Sequence, residues 1–209
     1  NVFAYSLIGA AAAAGRPLTT AIRTDGPIEI DGAPGEAAWG GAVAVSDFRL
    51  LGTDTVPARS STFALLYDAE ALYLALECPW PAGSLNSLPA PQATAHDGAA
   101  YGDEALEFYL QPDPGGDYWH LVFNVDGVRY DARGRDSSAN PDWEVATQQS
   151  PDAWTAEARI PFASVGVSAP ADGARWAMNP ARNDRLNNQY STWAGLTRGF
   201  HEAENFGTL

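Results

Sequence analysis

Apolar and polar positions alternate along most of the chain after residue 24. Phe63, Leu65 and Tyr67 alternate with Thr62, Ala64 and Leu66, and Leu72, Leu74 and Leu76 repeat the pattern after the short link 68–71. A period of two puts one set of side chains on one face of a strand, so these runs predict a β-hairpin. Further runs of the same kind lie at 105–110, 119–125, 128–132, 143–148, 154–160, 175–178 and 190–196. In NVDGVRYD, Asp126-Gly127 separates two such runs, and an Asp-Gly pair supplies the positive φ that tight hairpin turns require. No stretch after Gly26 carries a sustained 3.6-residue apolar stripe. Short strands with closely spaced turns predict an all-β chain, an antiparallel β-sandwich, and not a βαβ fold. Two segments break the rhythm: 162–173 is an irregular crossing, and 78–102 is a 25-residue loop rich in Pro, Ala, Ser and Gly. Loops of that length inside a domain are commonly functional.

The first residues form a separate block. Residues 1–15 carry no charged side chain, and Arg16 is the first. The block is too short to cross a bilayer, which takes roughly 20 apolar residues. The expected organisation is therefore an apolar N-terminal extension over 1–24, serving as docking arm, anchor or leader remnant, followed by a sandwich over 25–209. Val2, Phe3, Tyr5, Leu7 and Ile8 are the residues expected to contact a partner protein or a membrane interface. Burial at roughly 25 cal/mol per Å2 of apolar surface would drive that contact. Such an arm implies a periplasmic or extracellular protein, associated with a membrane through its N-terminal segment.

Composition narrows the chemistry. A chain of 209 residues can bury a sufficient core without disulfides or structural metal. The net charge is −14 and every one of the twelve basic residues is Arg. A field of that sign repels phosphate backbones, which excludes a nucleic-acid partner. The missing lysine removes Schiff-base and P-loop chemistry. Cys78 is alone, so it forms no intrachain disulfide, and at the end of an apolar run it reads as a small buried hydrophobe. No G-x-S-x-G elbow is present. Glu104 and Glu107 could mimic a glycosidase pair, but their odd separation sends them to opposite faces of a strand. Asp and Asn crowd several loops, and Asp103 and Glu104 are candidate calcium ligands, although no D-x-D-x-D-G register accompanies them.

Seven blocks in order carry a resemblance: IEIDGAPGEAAW (28–39), TFALLYDAEALYLAL (62–76), DEALEFYL (103–110), FNVDG (123–127), WTAEARIP (154–161), WAMNPAR (176–182) and the terminal ENFGTL. Together they resemble carbohydrate-binding module family 9 over roughly 28–209. The resemblance implies a non-catalytic β-sandwich, often calcium-bearing, of the kind attached to secreted glycanases. In sugar-binding members two tryptophans sandwich a terminal sugar; the matching positions here are Tyr101 and Phe200. Glu107 matches the acidic residue that accepts sugar hydroxyls, while Val122, Ala181 and Thr197 stand where the family has arginine, glutamine and asparagine. Three lost hydrogen bonds at about 0.5 to 1.5 kcal/mol each carry a micromolar site toward millimolar.

From the sequence, then, the expected role is a non-catalytic structural or interaction subunit of a membrane-associated assembly, respiratory or photosynthetic complexes being possible hosts. The alternative is a carbohydrate-binding module that stacks a sugar between Tyr101 and Phe200 beside Glu107.

Overall fold

Leu106, Phe108 and Leu110 turn into the interior of the molecule, and Glu107 and Tyr109 turn out of it. This division repeats in strand after strand. The computed structural model describes residues 15–209, in which the strands are β1 (Ile22–Arg23), β2 (Arg49–Leu50), β3 (Thr62–Tyr67), β4 (Ala71–Pro79), β5 (Ala105–Gln111), β6 (Trp119–Asn124), β7 (Arg129–Arg133), β8 (Glu144–Gln149), β9 (Ala153–Pro161), β10 (Ala177–Asp184), β11 (Gln189–Thr192) and β12 (Gly207–Thr208). One sheet has the order β1-β3-β4-β9-β8. The other has the order β2-β11-β10-β5-β6-β7, with β12 also paired to β10. All pairs are antiparallel except β1 along β3. The helical elements among the described residues are short 3-10 turns, and none is long and apolar enough to cross a membrane.

The inner faces of the two sheets meet in one core. Phe63, Leu65, Leu72, Leu74 and Leu76 from the first sheet pack with Leu106, Phe108, Leu121, Phe123 and Met178 from the second. Phe123 meets Trp154 edge to face at 6.1 Å, and Phe63 meets Trp193 in the same way at 5.6 Å. The alternation read from the sequence thus gives the expected antiparallel sandwich, including the β3–β4 hairpin and the Asp126-Gly127 turn, where Gly127 holds φ at 77°.

The IEIDGAPGEAAW block explains how the outer face of the first sheet is covered. Ile28, Ile30, Ala38 and Trp39 pack on Ala64, Leu66, Tyr73 and Ala75. Glu157 of β9, fully buried, pins this strap: its carboxylate accepts from the Trp39 indole N–H at 2.9 Å and from the Gly32 N–H at 3.2 Å. Gly32 lies at φ 86°, and a Cβ there would sit 2.7 Å from the backbone of Thr147. Only glycine lets the strap lie this close.

Two boundaries differ from the sequence reading. The sandwich begins well before residue 25: Leu18 bridges Thr208, the Thr19 N–H donates to the Thr208 carbonyl at 3.0 Å, and Ile22 pairs with Leu66. These pairings join distant parts of the chain, which local periodicity does not register. Val2, Phe3, Tyr5, Leu7 and Ile8 lie outside the described residues. The strand expected over 175–178 instead runs from Ala177 to Asp184, because its polar residues Asn179, Arg182 and Asn183 are buried against specific partners.

Candidate functional site

The outer face of the second sheet gathers a row of polar side chains. In the register of β10, β5 and β6, Glu107 lies between Ala181 and Val122, Tyr109 lies between Asn179 and His120, and Ala105 lies between Asn183 and Asn124. Two apolar clusters border this row. Tyr109, Leu196, Phe200 and Phe206 form one, and Ala93, Ala100, Ala105 and Val122 form the other. Loops 91–104 and 193–206 close over the face from the two sides.

Glu107 is the centre of the cluster. Its Oε2 accepts from the Tyr109 hydroxyl at 2.6 Å and contacts His120 Nε2 at 2.6 Å, and its Oε1 accepts from Asn183 Nδ2 at 2.8 Å. Burial alone would raise the carboxyl's pKa, but the hydrogen bonds and charge of His120, with the bonds from Tyr109 and Asn183, outweigh it and hold the group below its ordinary value. Glu107 is therefore an ionised acceptor in a nearly dry setting. Asn183 also donates to the Tyr101 carbonyl, while its Oδ1 has no hydrogen-bond partner. His201 contacts the Tyr118 hydroxyl through Nδ1 at 2.8 Å. Burial first, and then His120 and Arg135, push the His201 pKa down to about 4, so its ring is neutral at physiological pH.

The three residues expected to form a sugar clamp are brought to one face. Asn183 joins Glu107 to Tyr101, and Tyr109 joins Glu107 to Phe200, whose ring lies 6.5 Å from that of Tyr109. Their exposures differ: Tyr101 is 45% exposed and Phe200 only 8%. Tyr101 leans edge-on against Tyr130 at 5.2 Å. Phe200 is backed by Tyr190, a 43% exposed ring 6.3 Å away that sequence reasoning did not single out. Glu202 fixes the loop of Phe200 by accepting the N–H groups of Thr197, Arg198 and Gly199 through Oε1. His120 and Asn183 were also missed. Each stands two residues along its strand from a neighbour of Glu107, His120 from Val122 and Asn183 from Ala181, and so turns to the same face.

Asp103 and Glu104, the candidate calcium ligands, are both hydrogen-bonded to protein N–H donors. Asp103 accepts the backbone N–H groups of Gln92 and Ala93 and the amide of Asn124, anchoring the long loop. Glu104 faces the interior, where it pairs with the buried Arg182 at 2.8 Å and accepts from the Trp154 indole and the Arg185 N–H. Glu104 and Glu107 thus point to opposite faces, as their spacing implies. Cys78 is buried in the core, its thiol pushed up to about 12 by burial, which leaves it inert as a nucleophile.

The family described as carbohydrate family 9 binding domain-like matches residues 30–209, and the chain belongs to it. Among solved structures, a family 9 module from Caldicellulosiruptor kristjanssonii in complex with glucose is similar at a TM-score of 0.62 and 16% identity, covering 91% of this chain and 94% of that one. A family 9 module from the same organism in complex with cellotriose is similar at a TM-score of 0.59 and 18% identity, covering 84% and 82%. At these identities the likeness establishes the fold. No curated protein matches the chain. Family membership overturns the expectation of a purely structural subunit in a membrane-associated assembly: a carbohydrate-binding family over nearly the whole described chain supports the alternative role.

Proposed function

We propose that this chain is a carbohydrate-binding module whose site is the outer face of the second sheet, with a terminal glucosyl unit of a β-linked oligosaccharide as its ligand. Tyr101 offers an exposed ring for stacking on sugar C–H faces, and Phe200 with Tyr190 forms the opposite wall. Glu107 accepts a sugar hydroxyl. The observation that carries this reading is the buried Glu107 carboxylate, linked through Asn183 to the loop of Tyr101 and through Tyr109 to the ring of Phe200. Asn183 Oδ1 adds an acceptor with no protein partner, which a hydroxyl approaching Glu107 would satisfy. The glucose and cellotriose named for the two similar structures fit that ligand class.

The chain acts by binding and not by hydrolysis, because its two neighbouring glutamates face opposite sides of β5 and do not flank one bond. Affinity is weak, about millimolar, because Val122 and Ala181 on either side of Glu107 offer no hydrogen bond. The test is NMR titration of the 15N-labelled protein with cellotriose. Shifts concentrated at Tyr101, Glu107, Asn183 and 197–201 support the reading; shifts confined to the other sheet, or none at saturating sugar, contradict it.

A further inference from the structure

Outside the sugar face, at the free edge of the second sheet, one imidazole and two carboxylates converge. Asp131 lies on β7 opposite Leu121, so its side chain turns inward, and it is wholly buried beside Trp143. The long loop brings His96 and Asp97 to it, and the Asp97 N–H donates to the Arg129 carbonyl of β7 at 3.0 Å. His96 Nε2 stands 3.1 and 3.3 Å from the two Asp131 oxygens and 3.6 Å from Asp97 Oδ1. One ligand atom from each of the three residues lies within 4.8 Å of the others.

Two observations bear on what this arrangement holds. The first is spacing. Nitrogen and oxygen ligands about 2.0 to 2.2 Å from one tetrahedral ion stand roughly 3.3 to 3.5 Å apart, and the separations of His96 from the two carboxylates, 3.1 to 3.6 Å, span that range. The second is the burial of Asp131. A carboxylate with no solvent contact is costly unless a cation accompanies it. Among the described residues its recorded partners are a neutral indole, Trp143 Nε1 at 2.7 Å, and the partly exposed His96, which is shared with Asp97. The basic residues on either side of it are used elsewhere: Arg129 donates to the Trp143 carbonyl and Arg133 pairs with Asp117 at 3.3 Å.

We infer that His96, Asp97 and Asp131 form a site for a divalent transition-metal ion of the zinc type, with water completing a tetrahedron. An imidazole with two carboxylates suits such an ion, whereas calcium takes six to eight oxygen ligands. Trp143 would orient Asp131 from behind by its indole N–H, as partners of metal-bound carboxylates do. The ion would staple the loop that continues into Tyr101 to β7, next to Tyr130 on which Tyr101 leans. The site stands apart from Glu107 and does not depend on the carbohydrate reading.

The experiment is calorimetric titration of chelator-stripped full chain with zinc chloride and, separately, calcium chloride. His96→Gln and Asp97→Asn are run beside the wild type. Both side chains are 41% exposed, so these variants fold, and circular dichroism verifies it. The inference predicts one zinc per chain, with affinity reduced roughly tenfold or more in each variant. It is overturned by the absence of zinc binding, by zinc affinity in both variants unchanged from the wild type, or by calcium binding as tight as zinc that Asp97→Asn removes and His96→Gln leaves intact.

Discussion

Tyr109 and His120 stack face to face, their ring centroids 4.4 Å apart and their planes 9° apart, and both contact the same oxygen of Glu107 at 2.6 Å. The stack follows from the register of β5 and β6, which sets the two residues directly opposite one another on the outer face. It fixes the direction of the Glu107 carboxylate without help from a ligand. Such an acceptor loses little freedom when a hydroxyl arrives, which is how a site with few polar groups retains measurable affinity.

Replacing Glu107 by Gln tests that acceptor. The substitution keeps the shape and removes the charge, and a hydrogen bond to a charged group contributes about 1.5 to 3 kcal/mol. Cellotriose affinity should fall roughly tenfold or more, read by NMR or calorimetry. Unchanged affinity in a folded variant would place the sugar elsewhere.

Glu104 carries the opposite expectation. It is buried with Arg182 at 2.8 Å, and Glu104→Ala leaves that guanidinium inside the sandwich without its carboxylate. Removing one partner of a buried pair typically costs about 3 to 5 kcal/mol. Urea denaturation should show a loss of that size, not restored by excess calcium. Recovery on adding calcium would return Glu104 to a metal-binding role.

The strap over the first sheet should make stability depend on pH. Burial, assisted by Glu36, raises the Glu157 carboxyl from 4.5 to about 7 against the bonds from Trp39 and Asp31. The native state therefore holds a proton that the unfolded chain releases near pH 4.5. Stability from this group is full below that pH, falls as pH rises toward 7, and is level above it. The loss amounts to roughly 3 kcal/mol. Glu157→Gln should lack the decline between pH 5 and 7. An equal decline in the variant would assign it to another group.

His201 should behave in the reverse sense. Its folded pKa of about 4 lies below the ordinary 6.5, so its contribution is present above pH 6.5 and lost as pH falls toward 4. The ring carbon protons of His201, followed by NMR, should show a midpoint near 4. A midpoint near 6.5 would mean that the ring is solvated and not packed against His120 at 5.0 Å.

How much of this was legible in the sequence depends on the distance between partners. Leu106, Phe108 and Leu110 against Glu107 and Tyr109 announced a strand and its faces, and Asp126-Gly127 announced a turn, because each signal lies within a few residues. Glu107, Tyr101 and Phe200 were reached through the family resemblance. His120 and Asn183 were not, since their place beside Glu107 arises from strand register across 13 and 76 positions. The same holds for Asp103 and Glu104. Their acidity is visible in the sequence, but Asn124 and Arg182, which occupy them, lie 21 and 78 residues away. Residues 18–23 read as an arm because the strands they join, β3 and β12, are far along the chain.

The central claim is that a sugar binds on the outer face beside Tyr101, and Tyr101→Ala tests it most directly. The ring is 45% exposed and rests edge-on against Tyr130, so its removal should cost about 1 kcal/mol of stability and leave the fold intact. Calorimetric titration with cellotriose is predicted to give binding near millimolar for the wild type and no measurable binding for the variant, with both proteins folded at the temperature of the titration. No binding by the wild type, or equal affinity in the two proteins, would contradict the account.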